Sequence, residues 1–377
     1  MKHAILRNSQ RVLSALSYLL LGALNLCVLY AALKAAHAPM KALPWTLSWL
    51  TLCLLLGAAW IRPRTRFGQA LGVASTYIYA VQPILLYAAI PGALLLLLFR
   101  QSDARETAAG ALTVCAFACA LGAGAAGIRN ARTVRLTRYS LQTQKALPGG
   151  KLRIVQLSDL HLGFINNRRA LENTVCRVNE LSPDLVCITG DTFTESVRTV
   201  RDFAGMAQTL AALTPRYGVY ACLGNHDAGR DYGKMLRFFD QANVRLLVDE
   251  TLDPAPGVRL IGRSDAAPQG IRNRSRKAAA VFPIGETEYN VILDHQPSDA
   301  EAVRAAGGDL LLCGHTHGGQ FFPANLFIRM RFPHIKGSRE NSGMFTIVNS
   351  GSGAATPPIR LGSHGEIVLI DVSSSRG

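Results

Sequence analysis

The chain has 377 residues, 49% of them hydrophobic, with a formal charge of +15 and a positive mean hydropathy, which is more apolar content than one soluble domain needs. Residues 1–150 hold 15 Lys and Arg against Asp103 and Glu106 alone, whereas residues 151–377 hold 25 against 23. The basicity therefore belongs to the N-terminal part, and the near-neutral remainder argues against a nucleic-acid surface.

In chain order, four stretches lack charge over a bilayer-crossing length, at about 12–33, 43–61, 67–99 and 107–128, against the ~20 apolar residues that a span requires. Read as spans, they make residues 1–145 a transmembrane region ahead of a domain at 146–377. The third, with Pro83 and Pro91 inside it, reads as one long or kinked span. The first has a rival reading as a signal peptide, with Ala36-His37-Ala38 as the cleavage site, but it is longer than the usual apolar region of such peptides. Lys and Arg before the first span, Arg62, Arg64 and Arg66, and the segment Arg129 to Lys145 share one side of the membrane, and the excess of positive charge assigns that side to the cytoplasm. The eight cysteines show no zinc-ribbon spacing and read as small buried hydrophobes in a reducing compartment.

After Lys151 the pattern shortens. Strands are predicted at Arg153–Leu157, Asp184–Thr189, Tyr217–Leu223, Val244–Val248, Val258–Gly262, Tyr289–Leu293, Asp309–Cys313, Phe345–Asn349 and Ile367–Val372. Helices are predicted at Arg168–Leu181, Val197–Leu213 and Tyr232–Gln241. The alternation implies an α/β fold with largely parallel sheet, and the number of strands favours a two-sheet β-sandwich flanked by helices.

Polar clusters follow five of the strands: Asp159-x-His161, Gly190-Asp191, Gly224-Asn225-His226-Asp227, Asp294-His295 and Gly314-His315-x-His317. Each alone is ordinary turn chemistry. Together they gather five of the nine histidines at strand ends, where α/β sheets bind ligands. Imidazole, carboxylate and amide oxygen without thiolate suit a pair of divalent ions such as Mn, Fe or Zn better than a structural zinc site, and two such ions can clamp a phosphoryl centre.

This series, with Leu157-Ser-Asp-Leu-His-Leu-Gly163 and Gly314-His-Thr-His-Gly-Gly-Gln320, resembles the calcineurin-like metallophosphoesterase superfamily, in particular its membrane-anchored bacterial branch, from about Leu152 to Val372. The resemblance implies Asp159, His161 and His317 on one metal and Asn225, His295 and His315 on the other, with Asp191 bridging. It implies His226 as the catalytic histidine, oriented by Asp227, and attack by a metal-activated hydroxide on a phosphomonoester, phosphodiester or phosphoanhydride. A lipid-linked substrate such as a UDP-diacylglucosamine suits an enzyme of the bacterial inner membrane whose catalytic domain faces the cytoplasm. The competing class is a non-catalytic membrane sensor or transporter with a metal- or nucleotide-binding domain. Further candidates are the basic run Arg272, Arg274, Arg276 and Lys277, the pair Arg263 and Asp265, and the loop Asn349–Gly353, where Ser350 stands in place of an expected arginine.

Overall fold

The computed structural model describes residues 103–163, 165–194, 200, 202–227, 232–265, 278–321, 324–355 and 357–375, with isolated positions before residue 100. They fall into two compact units, one comprising Met1–Arg129 with Pro357–Ile359, the other Asn130–Thr356 with Arg360–Gly377.

In the first unit the principal described element is helix α1, Asp103–Arg132, whose last residues enter the second unit. The expectation of four membrane spans is corrected here. Among the described residues no helix is long and apolar enough to cross a membrane. Helix α1 covers the fourth expected span, but that stretch is largely alanine and glycine, side chains that contribute little transfer free energy. Apart from isolated positions, the other three expected spans, at about 12–33, 43–61 and 67–99, lie outside the described residues, as does the run Arg272 to Lys277.

The second unit is a sandwich of two six-stranded sheets. The first comprises β1 (Val134–Thr143), β2 (Lys151–Leu157), β3 (Leu185–Thr189), β4 (Val219–Cys222), β5 (Val244–Leu246) and β12 (Gly365–Ser374), in the order β1-β12-β2-β3-β4-β5. The second comprises β6 (Glu250–Ala255), β7 (Val258–Gly262), β8 (Tyr289–Leu293), β9 (Leu310–Cys313), β10 (Gly337–Asn341) and β11 (Met344–Val348), in the order β10-β11-β9-β8-β7-β6. In each sheet four successive strands are parallel: β2, β3, β4 and β5 in one, β11, β9, β8 and β7 in the other. Antiparallel neighbours flank them, namely β12 beside β2, β10 beside β11 and β6 beside β7.

Alternation along each strand assigns side chains to layers. Leu152 and Ile154 of β2, with Leu185 and Cys187 of β3, meet Val258, Leu260, Val291, Leu293, Leu310 and Leu312 in the core between the sheets. The intervening Val155, Leu157, Val186 and Ile188 face helices α2 (Arg168–Glu180), α3 (Phe203–Ala211) and α4 (Tyr232–Gln241), whose Val175, Val178, Leu210, Phe238 and Phe239 complete the outer layer. Helix α5, Ala300–Ala305, adds Val303 to the smaller cluster on the second sheet's outer face. Strands covered on both sides read as unbroken apolar runs. That is why Leu185–Thr189, Tyr289–Leu293 and Leu310–Cys313 contain no exposed position.

Candidate metal centre

Parallel strands deliver their carboxyl ends to one edge of the sandwich, and the loops that leave β2, β3, β4, β8 and β9 meet there. The ladder continues past the strands: the Asp159 N–H donates to Gly190 O and the His161 N–H to Asp191 O, both at 3.0 Å. Across the sandwich, His295 Nδ1 lies 2.8 Å from Thr189 O. The His315 N–H donates to Asp159 Oδ2 at 3.1 Å, so each sheet fixes residues of the other.

These loops are strained where the functional side chains sit. Asp159, His161, Asp191, His315 and His317 all have φ between 45° and 70°, a region that residues with a Cβ seldom occupy and that costs on the order of 1–3 kcal/mol apiece. Glycines make room for the convergence. A Cβ on Gly224 would lie 2.1 Å from Asp191 Oδ1, and one on Gly314 would lie 1.8 Å from Ser158 Oγ and 2.4 Å from Asp159 Oδ2.

Two groups of donor atoms result. In the first, His161 Nε2 and His317 Nε2 face each other at 3.1 Å, and Asp159 Oδ1 lies 3.9 and 3.4 Å from them. In the second, Asn225 Oδ1 is 2.9 Å from His315 Nδ1 and 3.2 Å from His295 Nε2, and those two nitrogens are 3.3 Å apart. Asp191 stands between the groups, its Oδ2 3.2 Å from His295 Nε2 and 4.0 Å from His161 Nε2. Asp159, His161 and His317, and likewise Asp191, His295 and His315, each bring three ligand atoms close enough to share one ion.

The residues fit divalent cations. Asp159 Oδ1 is buried with no hydrogen-bond partner, which is costly unless a cation satisfies it. Burial pushes His161 and His315 down to about 4 and His317 well below the imidazole range, so these rings are neutral ligands at physiological pH. Burial disfavours charge on His295 too, yet the Asp191 carboxylate outweighs it and raises that ring well above its usual value. Asp191 is in turn held well below the carboxylate range, burial being overcome chiefly by His295. The spot around Asp191 calls for positive charge, which a divalent ion would supply. Burial also raises the Asp159 carboxyl against the opposing pull of His295.

His226 lies at the rim. Its ring is 34% exposed, its Nε2 is 4.0 Å from Asp191 Oδ2, and its backbone N–H donates to Asp191 Oδ1 at 2.8 Å. Asp227 does not hold that ring: its oxygens accept from the Gly224 N–H at 2.9 Å and the Phe193 N–H at 3.1 Å. It ties the β4 turn to the β3 loop, and burial with the nearby Asp191 raises its carboxyl to about 7.

The remaining candidates among the described residues hold structural contacts. Arg263 is buried against Asp294 and Asp299, at 2.9 and 3.1 Å, and Asp265 accepts from Gln296 Nε2 at 3.0 Å. The Ser350 N–H donates to Glu366 Oε1 at 2.6 Å. One residue the sequence reading missed is Arg360. Fully buried, it donates from Nη2 to Gly353 O at 2.7 Å and Gly351 O at 3.2 Å and from Nη1 to His364 O at 2.8 Å, and Nη2 lies 3.3 Å from His317 Nδ1. A guanidinium does reach the loop where an arginine was expected, but from ten residues further on and as a brace beneath it.

The calcineurin-like phosphoesterase family model matches residues 152–319, the segment that runs from β2 through the His315-x-His317 loop. An uncharacterized metallophosphoesterase of Aquifex aeolicus is 32% identical over 63% of this chain and 92% of its own length. The chain belongs to the calcineurin-like phosphoesterases. A further relative of this phosphoesterase, the uncharacterized metallophosphoesterase YkoQ of Bacillus subtilis, is 30% identical over 64% of this chain and 91% of its own. A transmembrane protein with metallophosphoesterase domain from Danio rerio is 31% identical over 58% and 52%. As a member of this family the chain is a metal-dependent phosphoesterase, and its two donor groups are the metal-binding candidates.

Proposed function

We propose that Asp159, His161 and His317 hold one divalent ion, that Asn225, His295 and His315 hold a second, and that Asp191 is shared. The observation that carries this reading is the position of Asp191, whose Oδ2 lies within 4.0 Å of ring nitrogens from both groups. Two ions bound there would supply Lewis-acid polarisation of phosphoryl oxygens and a nucleophilic water at neutral pH. The chain's own residues do the rest. Asp191 Oδ1 fixes the His226 backbone, and the half-open imidazole is available to give a proton to the departing oxygen. The buried wall of Asp159, His161 and His295 excludes solvent from the reacting side.

The substrate reading is a phosphomonoester, phosphodiester or phosphoanhydride, and the narrower one is a lipid-linked phosphoanhydride such as a UDP-diacylglucosamine. The narrower reading is motivated by the transmembrane relative and by the apolar composition before residue 100. Hydrolysis of a chromogenic phosphodiester, a phosphomonoester and UDP-diacylglucosamine, each with Mn, Fe or Zn, tests both. Activity that Asp191→Asn leaves unchanged overturns the two-metal reading. Turnover of the soluble esters with none of the lipid-linked compound overturns the narrower one, and metal binding without turnover of any substrate would favour a sensor.

A further inference from the structure

Helix α6, Ala324–Arg331, follows the His315-x-His317 loop and turns apolar side chains to solvent. Leu326, Phe327 and Met330 are 52%, 69% and 83% exposed. Met330 lies four residues after Leu326 and three after Phe327, the spacings that make neighbours on a helix surface, so the three form a single patch. Among the described residues of the sandwich, the other large hydrophobics so exposed are Leu236 and Val281, which stand singly. Scattered exposed hydrophobics need no explanation, but a contiguous set rimmed by polar groups marks a contact surface.

The rim is basic. Arg329 and Arg331 lie on the same eight-residue helix, both exposed, with Lys336 exposed just beyond it. No carboxylate pairs with Arg329 or Arg331 among the described residues. An apolar side with arginines beside it is the composition of helices that lie in the lipid–water interface, and the arginines match the anionic headgroups found there. The patch is also mechanically close to the metal centre. The Arg331 guanidinium sits 5.1 Å from the Phe332 ring centroid, and Phe332, buried, meets the His315 ring edge-on at 5.3 Å.

We propose that α6 is an interfacial anchor that lays Leu326, Phe327 and Met330 into a bilayer carrying anionic headgroups, so that the metal centre works against the membrane surface. The proposal stands on exposure and charge and does not depend on which substrate is cleaved.

The three tryptophans, Trp45, Trp49 and Trp60, all precede residue 61, so replacing them with Phe in the full chain permits a single reporter. Phe327→Trp in that background is mixed with phosphatidylglycerol/phosphatidylcholine vesicles whose acyl chains are brominated, and Leu236→Trp serves as the control on a different helix. The expected result is strong quenching at position 327 and little at 236. Arg329→Gln with Arg331→Gln should raise the phosphatidylglycerol needed for half-maximal quenching about 25-fold, at about fivefold per basic residue near an anionic surface. Equal quenching at the two positions, none at 327, or an insensitivity to the arginines would overturn the proposal. So would a blue shift at 327 that grows with protein concentration without vesicles, since that marks a second copy as the occupant.

Discussion

His226 and Asp191 are neighbours to which the proposed function gives separable duties. The Asp191 carboxylate lies between both donor groups, whereas the His226 ring stays at the rim and is joined to the cluster through its backbone. Removing a general acid costs about 10²–10⁴-fold in rate. His226→Ala should therefore lower kcat by about that factor while bound metal per chain stays at the wild-type value, measured by elemental analysis beside steady-state kinetics. Loss of metal in that variant would make His226 a ligand instead. Arg360 makes a different prediction. Burial pushes its guanidinium down to about 10, yet the carbonyls of Gly353 and His364 depend on it, while Gly351 O accepts from it and also from the Glu366 N–H at 3.1 Å. Leaving a buried acceptor unpaired costs about 1–3 kcal/mol, so with two of them orphaned Arg360→Met should lower unfolding stability by about 2 kcal/mol or more in urea titration. Stability within about 0.5 kcal/mol of wild type, the range of ordinary surface changes, would contradict this role. Nothing near position 360 in the sequence announces the contact, because the partners Gly351, Gly353 and His364 are backbone carbonyls of the same β11–β12 connection, and carbonyls leave no side-chain signature.

At the scale of elements, most of the strands the sequence revealed are covered on both faces, edge strand β5 being the exception. Val258–Gly262 and Tyr289–Leu293 are observed with the predicted ends, and helix Tyr232–Gln241 likewise, since the two strands are mainly apolar and the helix carries a clean helical period. The strands it missed are β1, β6 and β10, all at or next to a sheet edge and all polar: Val134–Thr143 carries Arg135 and Arg138, and Gly337–Asn341 is exposed along most of its length. An edge strand is held mainly by one neighbour's backbone, which leaves no side-chain signature. The consequence reaches the charge argument, because Arg135 and Arg138 belong to a strand paired along ten residues with β12, and Lys145 pairs with Asp309 at 2.7 Å. A chain beginning at Asn130 should therefore be soluble and cooperatively folded, while one beginning at Ala146 exposes the β12 edge and should aggregate, as size-exclusion chromatography would show. Equal behaviour of the two would mean that β1 is dispensable. Within the site loops, Gly224→Ala places a methyl group 2.1 Å from Asp191 Oδ1. It should displace that carboxylate and lower metal affinity by about 10–100-fold, the range seen when the supports of metal ligands are disturbed. Isothermal titration with Mn would detect it, and an affinity equal to wild type would show that the loop gives way freely.

For the whole molecule, the site was legible because its chemistry is written in residue types that fall at strand ends, and the fold brings all nine of the singled-out side chains to one edge. The expected membrane spans were read from the lack of charge alone. For helix α1 that criterion proved too weak, because alanine and glycine leave a stretch uncharged without making it strongly apolar. The two donor groups flank Asp191, whose Oδ2 lies 3.2 Å from His295 Nε2 and 4.0 Å from His161 Nε2, and the proposed function makes it the shared ligand. The direct measurement is the number of divalent ions bound per chain after equilibrium dialysis of the full protein against Mn or Zn, with hydrolysis of a phosphodiester followed in the same samples. Two ions per chain, with activity appearing only as the second binds and Asp191→Asn losing at least one ion together with activity, is the expected result. Saturation at a single ion, or full activity after exhaustive chelation, would contradict the shared two-metal centre.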